Sequence, residues 1–211
     1  MTLLLLIRHA QNDWVQTGRL AGWTAGVHLN DEGKRQAEAL GERLAAAKLQ
    51  AVYSSPLERA VETAAEIVRH YAGMDLKIEE GVGEVRFGDW TGQKLRRLRR
   101  RRLWEGVQNV PSRVRFPGGE SFLEMQFRAV GTLERIAQRH PDGPVAVVSH
   151  SDVIKAMVAH YAGMPLDLFQ RLVISPASIS MIGLSRGRPH ILRVNDTSHY
   201  ERRRDEGEAR E

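Results

Sequence analysis

Five apolar residues, Leu3-Leu4-Leu5-Leu6-Ile7, run directly into Arg8-His9. The run is far too short to span a bilayer, which takes roughly 18–20 apolar residues, and it lacks the small-residue cleavage site of a signal peptide. It reads as a strand apolar on both faces. Such a strand belongs inside a mostly parallel sheet covered by helices on both sides. Ligands of such sheets bind beyond the carboxyl ends of the strands, where Arg8 and His9 stand. A second run of the same kind, Val145-Ala146-Val147-Val148-Ser149, ends on His150.

Between these runs, helical and extended patterns alternate. Asn30 reads as an N-cap before a helix with Ala37, Leu40, Leu44 and Ala47 on one face. Ala51–Ser54 is a short strand, and Ser55-Pro56 opens a helix carrying Ala60, Ala64, Ile67, Val68 and Tyr71. Leu76–Glu79 is a third strand. Ser121-x-x-Glu124 is a capping box before an apolar-periodic segment. Asp152–Tyr161 is helical, Pro165–Leu172 forms a short helix, and Ile179–Leu184 with His190–Val194 form a closing hairpin around Arg186-Gly187-Arg188. Gln11–His28 has no helical period and reads as a loop. The expected fold is α/β, a three-layer αβα sandwich with a mostly parallel central sheet. The 211 residues suit one domain over 1–200, with an irregular insert or lid at about 81–120 and a charged, disordered tail over 201–211. One amphipathic helix is expected within the insert, near Gln93–Val107.

The absence of cysteine excludes disulfides, thiol catalysis and cysteine metal sites, and is compatible with a cytoplasmic protein. The net charge of +5 favours anionic partners. Seven of the nine residues from Lys94 to Arg102 are basic, and without them the chain would be near neutral. With Leu95, Leu98 and Leu103 as a buried stripe, these arginines are a solvated face, a rim that steers an anionic substrate, or a nucleic-acid patch. The last is disfavoured, because no aromatic interleaving, helix-turn-helix or zinc module accompanies them.

Two histidines and two arginines, His9, His150, Arg8 and Arg59, follow buried strands or open helices. That set suits a dianion, since guanidinium forks match phosphate oxygens and a neutral imidazole nitrogen can attack phosphorus. Leu-Ile-Arg8-His9-Ala10, Tyr53-Ser54-Ser55-Pro56-Leu57-x-Arg59-Ala60-x-x-Thr63-Ala64, Glu84-x-x-Phe87-Gly88-x-Trp90-x-Gly92 and Val148-Ser149-His150 together resemble the signature set of the histidine phosphatase superfamily, the phosphoglycerate mutase-like proteins. The resemblance implies a phosphoglycerate mutase-like fold and His9 as the nucleophile that becomes phosphohistidine. It implies Arg8, Arg59 and His150 as phosphoryl ligands, and Glu84 as the acid that protonates the leaving oxygen and then activates water. It implies no cofactor and no metal.

Three positions depart from the family's pattern. Its usual Arg-His-Gly-Glu is here Arg8-His9-Ala10-Gln11, and Val15 stands where an asparagine is often found. Ala10 is expected to restrict the backbone beside the nucleophile, and Gln11 removes a negative charge. Asn12, Trp23, His28 and Ser151 are candidate substrate contacts. Trp14, Trp23 and Trp90 either stack on substrate or anchor loops, and Trp104 is expected to pack on its own helix.

The favoured function is a metal-independent phosphomonoester hydrolase acting on a small phosphorylated metabolite in the cytoplasm. The alternative is a phosphoglycerate mutase-like phosphomutase. The short Val110–Glu120 stretch argues against that reading, because the mutases carry a longer insert. A non-enzymatic anion or nucleic-acid binder using the arginine-rich helix is the less favoured class. A metal hydrolase is weaker still, since the histidines are dispersed and show no HExxH spacing. No membrane partner is expected, and self-association into a homodimer is left open.

Overall fold

The computed structural model describes residues 1–185 and 188–200. The expected tail and the tip of the closing hairpin lie outside the described residues. The strands β1 (Thr2–Arg8), β2 (Ala51–Ser54), β3 (Leu76–Ile78), β4 (Pro144–Ser149), β5 (Ile179–Ser185) and β6 (Arg188–Asp196) form one sheet in the order β3-β2-β4-β1-β5-β6. The first four strands in that order pair in parallel, while β5 runs antiparallel to both β1 and β6.

The apolar alternation of β1 explains the layers. Leu4 and Leu6 join one core with Phe122, Met125, Leu133, Ile154 and Met157, from α6 (Phe122–Arg139) and α7 (Ser151–Tyr161). Leu5 and Ile7 join the other with Leu40, Leu44, Ala60, Ala64 and Ile67, from α2 (Asp31–Leu44) and α3 (Glu58–Val68). Side chains alternate across a strand, so a strand apolar at every position must be covered twice. Asn30 caps α2 through the Gly33 N–H at 2.9 Å, and Ser121 with Glu124 closes the capping box of α6.

The sequence reading differs from the structure in two places. The Gln11–His28 segment contains a short helix, α1 (Asp13–Gln16), capped by the Asn12 side chain on the Val15 N–H. The helix expected near Gln93–Val107 is two helices, α4 (Leu95–Leu98) and α5 (Arg102–Asn109), with extended backbone at Arg101. Phase explains the break. A continuous helix carrying Leu95 and Leu98 inward would next bury Arg102 and Glu105, whereas the apolar residues are Leu103, Trp104 and Val107. It would also stack Arg96 on Arg100 and Arg97 on Arg101 at i,i+4 spacing, which like charges disfavour.

Candidate active site

The parallel pairing of β1 and β4 sets Arg8 opposite Ser149 at their carboxyl ends, so His9 and His150 emerge side by side. The His9 N–H donates to the Ser149 carbonyl at 2.9 Å, and the two imidazole centroids are 5.2 Å apart. This is the point where the chain order of the sheet reverses, and where a ligand crevice is expected.

His9 is 3% exposed, and its Nδ1 lies 2.7 Å from the Ala10 carbonyl oxygen. A carbonyl only accepts, so Nδ1 carries the proton and Nε2 keeps its lone pair. Burial, helped by the neighbouring Arg59 and Arg8 charges, holds the His9 pKa well below the usual histidine value. The ring is therefore neutral and nucleophilic at physiological pH. His150 is fully buried, with Nε2 on the Ser55 hydroxyl at 2.8 Å. Its Nδ1 lies 3.4 Å from an Arg59 nitrogen and 3.7 Å from a Glu84 carboxylate oxygen. Its pKa is depressed by burial first and by Arg59 next.

Arg59 projects from the first turn of α3 and is 1% exposed. One terminal nitrogen donates to the Gly22 carbonyl at 2.8 Å, while Nε and Nη1 have no partner. Arg8 donates from Nη1 to the Ile174 carbonyl at 2.7 Å and leaves Nε unpaired. Asn12 is 1% exposed, and its Nδ2 is also unpaired although Oδ1 is fixed by its capping bond. Buried donors almost always find partners. Three side chains with orphaned donors line one cavity with a neutral histidine, an arrangement able to hold an oxyanion.

Glu84 follows a 3-10 turn (Glu80–Val82) that Ser149 holds through its hydroxyl on the Val82 carbonyl at 2.7 Å. Its side chain is 14% exposed, and one carboxylate oxygen accepts the Val85 N–H at 2.9 Å. Burial raises its pKa to about 7, opposed by Arg59 and reinforced by Asp152. A carboxyl poised there exists in both protonation states at neutral pH.

Around this floor a cavity of about 400 Å³ opens, lined by Arg8, His9, Asn12, Arg59, Glu84 and Ser151 at its base. Trp14, Leu20, Trp90, Leu95, Trp104 and Phe116 form much of its wall. Trp104 does not simply pack on α5: it stacks on Trp90 with centroids 6.2 Å apart and lines the cavity. Of the candidate substrate contacts, Asn12 and Ser151 line the cavity, whereas Trp23 and His28 do not. The Trp23 indole donates to the Glu84 carbonyl at 2.6 Å, which makes it a support for the acid's backbone. His28 is exposed and pairs with Glu62 of α3, whose carboxylate raises its pKa.

The substitutions beside His9 are absorbed without strain. Ala10 is fully buried, and its N–H donates to Thr63 Oγ1 at 3.0 Å. It is not among the described non-glycine residues with positive φ, which are Lys48, Ala177 and Asn195, so no glycine is needed there. Gln11 turns away from His9, accepting from Asn30 Nδ2 at 3.2 Å.

Several supports escaped the sequence reading. Arg128 of α6 donates to the carbonyls of Gly81, Gly83 and Glu84, each at 2.9 Å, and pairs with Glu120. Ser55 and Thr63 sit inside a quoted motif, yet their roles as second partners of His150 and Ala10 need the tertiary structure. Asp152, one residue from the expected Ser151, offered no spacing signal. Among the described residues no cluster of three or more His, Asp or Glu side chains is arranged to hold a metal ion, and no helix is long and apolar enough to cross a membrane.

Comparison with known proteins agrees with this geometry. The family model of the histidine phosphatase superfamily (branch 1) matches residues 4–197. Phosphoserine phosphatase 1 of Hydrogenobacter thermophilus is 33% identical over 204 residues, covering 94% of each chain. The metal-independent phosphoserine phosphatase of Arabidopsis thaliana is 33% identical over 167 residues, 74% of this chain and 67% of its own. The solved structure of Bacillus stearothermophilus YhfR superimposes with a TM-score of 0.88 at 31% identity, covering 94% of this chain and 99% of that one. The chain belongs to the histidine phosphatase superfamily, branch 1, and its phosphatase relatives are consistent with phosphomonoester hydrolysis through a phosphohistidine.

Proposed function

We propose that His9, Arg8, Arg59, His150 and Glu84 together hydrolyse the phosphomonoester of a small metabolite. The observation that carries the assignment of roles is the set of orphaned buried donors on Arg8 and Arg59 around a His9 whose Nε2 is bare. The phosphoryl oxygens satisfy those donors and, with His150 and the Asn12 amide, spread the developing charge. His9 Nε2 attacks phosphorus as the ester P–O bond breaks, and protonated Glu84 gives its proton to the leaving oxygen. Glu84, now a carboxylate, takes a proton from water as that water attacks phosphorus. The N–P bond breaks, phosphate leaves, and His9 and Glu84 return to their starting states. One catalytic domain, residues 1–200 with its insert at 81–120, performs this in the cytoplasm without a metal.

Phosphoserine, the substrate named for two relatives, is the first compound to test. Incubation with a phosphomonoester followed by rapid denaturation should trap acid-labile phosphate on His9, with steady phosphate release in EDTA. His9→Ala should abolish both. Interconversion of phosphoglycerates with little phosphate release would overturn the hydrolase reading in favour of a mutase.

A further inference from the structure

The cavity changes character from floor to mouth. Its base is the phosphoryl cradle. Its middle is apolar and aromatic, with Trp14, Leu20, Leu95 and Trp104 only half-buried and so presenting free surface to the lumen. Of the lining residues, only Arg19, Arg99 and Gln108 are exposed, and these define the mouth. All three are donors and two are cations. The acidic lining residues sit elsewhere: Glu84 on the floor, and Asp152 beside Lys155 at 3.5 Å. Lys155 is therefore already compensated, whereas Arg19 and Arg99 have no acidic partner among the described residues.

These two arginines do not come together by chance of an open loop. Residues 18–20 are zipped onto 92–95 by main-chain bonds: Leu20 N–H to Gln93 O at 2.9 Å, Gly92 N–H to Leu20 O at 2.7 Å, and Leu95 N–H to Gly18 O at 2.8 Å. Arg19 bridges Lys94 within this ladder, and its guanidinium lies 5.0 Å from the Trp14 ring centroid, a cation–π contact that holds it over the cavity. Arg99 follows α4 one residue beyond the buried Leu98, which anchors its backbone. The rest of the basic run continues from there over an exposed surface. A cationic entrance above apolar walls concentrates field lines on an incoming anion.

We infer that this site prefers phosphomonoesters whose leaving group is apolar or aromatic next to the ester and carries a second anionic group at its far end, which Arg19 and Arg99 hold at the mouth. This rests on the phosphatase reading of the floor and adds a specificity subsite to it. A substrate the size of phosphoserine would occupy only the floor of a 400 Å³ cavity, a volume in the range that houses larger ligands.

The test uses matched pairs: 4-carboxyphenyl phosphate and 6-carboxy-2-naphthyl phosphate, each against its methyl ester, which keeps the size but removes the distal charge. For at least one pair kcat/KM should favour the carboxylate by about tenfold, carried by KM and shrinking with added salt. In the Arg19→Ala/Arg99→Ala double variant that ratio should fall to about one. Arg19→Lys/Arg99→Lys, which keeps the charge, should recover part of it. Equal kcat/KM within both pairs, or a preference that survives the double alanine variant, overturns the subsite. If wild-type protein turned over none of the four esters but released phosphate from phosphoserine, the subsite would be overturned; if it turned over neither the esters nor phosphoserine, the phosphatase reading would fall instead. The subsite would then be judged by calorimetric binding of the same pairs, where equal Kd values overturn it.

Discussion

The floor and the roof of the cavity are held by opposite means. The floor hangs on the ends of two paired strands and the start of a helix, so each group has a fixed origin and is surrounded by core. Its polarity is left deliberately incomplete, with buried nitrogens of Arg8, Arg59 and Asn12 unpaired. The roof has little regular structure. It is held by glycine-dependent backbone contacts, by the ladder between 18–20 and 92–95, and by aromatic packing of Phe87, Trp90, Trp104 and Phe116. The floor stores unsatisfied polarity for one chemical group. The roof's main chain is satisfied within itself, while its side chains set what the rest of a substrate must look like. Stability and activity should therefore separate in the floor and move together in the roof.

Arg59→Met breaks this comparison most directly. It removes the guanidinium that faces both His150 and the phosphoryl position, so kcat/KM should fall by about a thousandfold. Urea unfolding should show a protein at least as stable as the wild type, because a desolvated cation with two unpaired nitrogens gives way to an apolar chain of similar volume. A loss of more than about 2 kcal/mol would mean that Arg59 is structural.

Glu84→Gln follows, with a loss of about a hundredfold or more in kcat/KM, since the leaving oxygen goes unprotonated. In the wild type, kcat/KM should decline as pH rises through about 7, where Glu84 loses the proton it must give. The stability sign runs the other way. A carboxyl whose folded pKa is raised contributes stability that is complete below its unfolded value and is lost as pH rises through the folded one. Relative to wild type, Glu84→Gln should thus gain about 3 kcal/mol of stability at pH 8 and nothing at pH 4, seen as a higher unfolding temperature at pH 8 alone. An equal effect at both pH values would refute the raised carboxyl.

In the roof, Gly88→Ala should cost stability and activity together. Gly88 has φ of +52°, and a Cβ there would lie 2.1 Å from the Pro117 carbonyl oxygen, in a backbone contact with no flexible side chain to yield. Unfolding should become easier by about 3 kcal/mol. Hydrogen exchange should rise in 86–120 before it rises in β1 and β4. Uniform loosening across both regions would dissolve the distinction between them.

This contrast also decides what was legible in the sequence. The two-sided apolar runs and the capping box at Ser121 follow from local patterns, so the sandwich could be read from residue types and order, and the side chains proposed to bind phosphate stand at strand ends and a helix start that the same patterns mark. The roof could not. The phase slip after Leu98 that splits α4 from α5 was present in the sequence, but only the need to bury Leu103, Trp104 and Val107 shows that it ends a helix. Arg128 sits mid-helix and looks like any solvated arginine, and nothing local reveals that it collects three carbonyls of the Glu84 turn. Trp23 is an aromatic residue that could stack or anchor a loop, and His28 stands where the family often has a proline or polar loop residue; neither signal fixes which way the loop turns. The loop between them is pinned to α3 by Glu58 and Glu62, which draws His28 outward.

Trp23→Phe should have the smallest effect, and it sharpens the boundary between floor and roof. Part of the ring's packing is retained while the indole N–H on the Glu84 carbonyl is lost. That carbonyl keeps a second donor, Arg128 Nη2 at 2.9 Å, so it is not left bare and the cost should be about 1 kcal/mol or less. Activity should fall only a few fold, in kcat more than in KM, because the indole lies outside the cavity and acts through the position of the acid. A KM rise of a hundredfold with kcat intact would place Trp23 against the substrate. An unchanged enzyme would mean that Arg128 alone fixes the Glu84 turn, and the floor would then owe its acid to α6 rather than to the loop that follows the nucleophile.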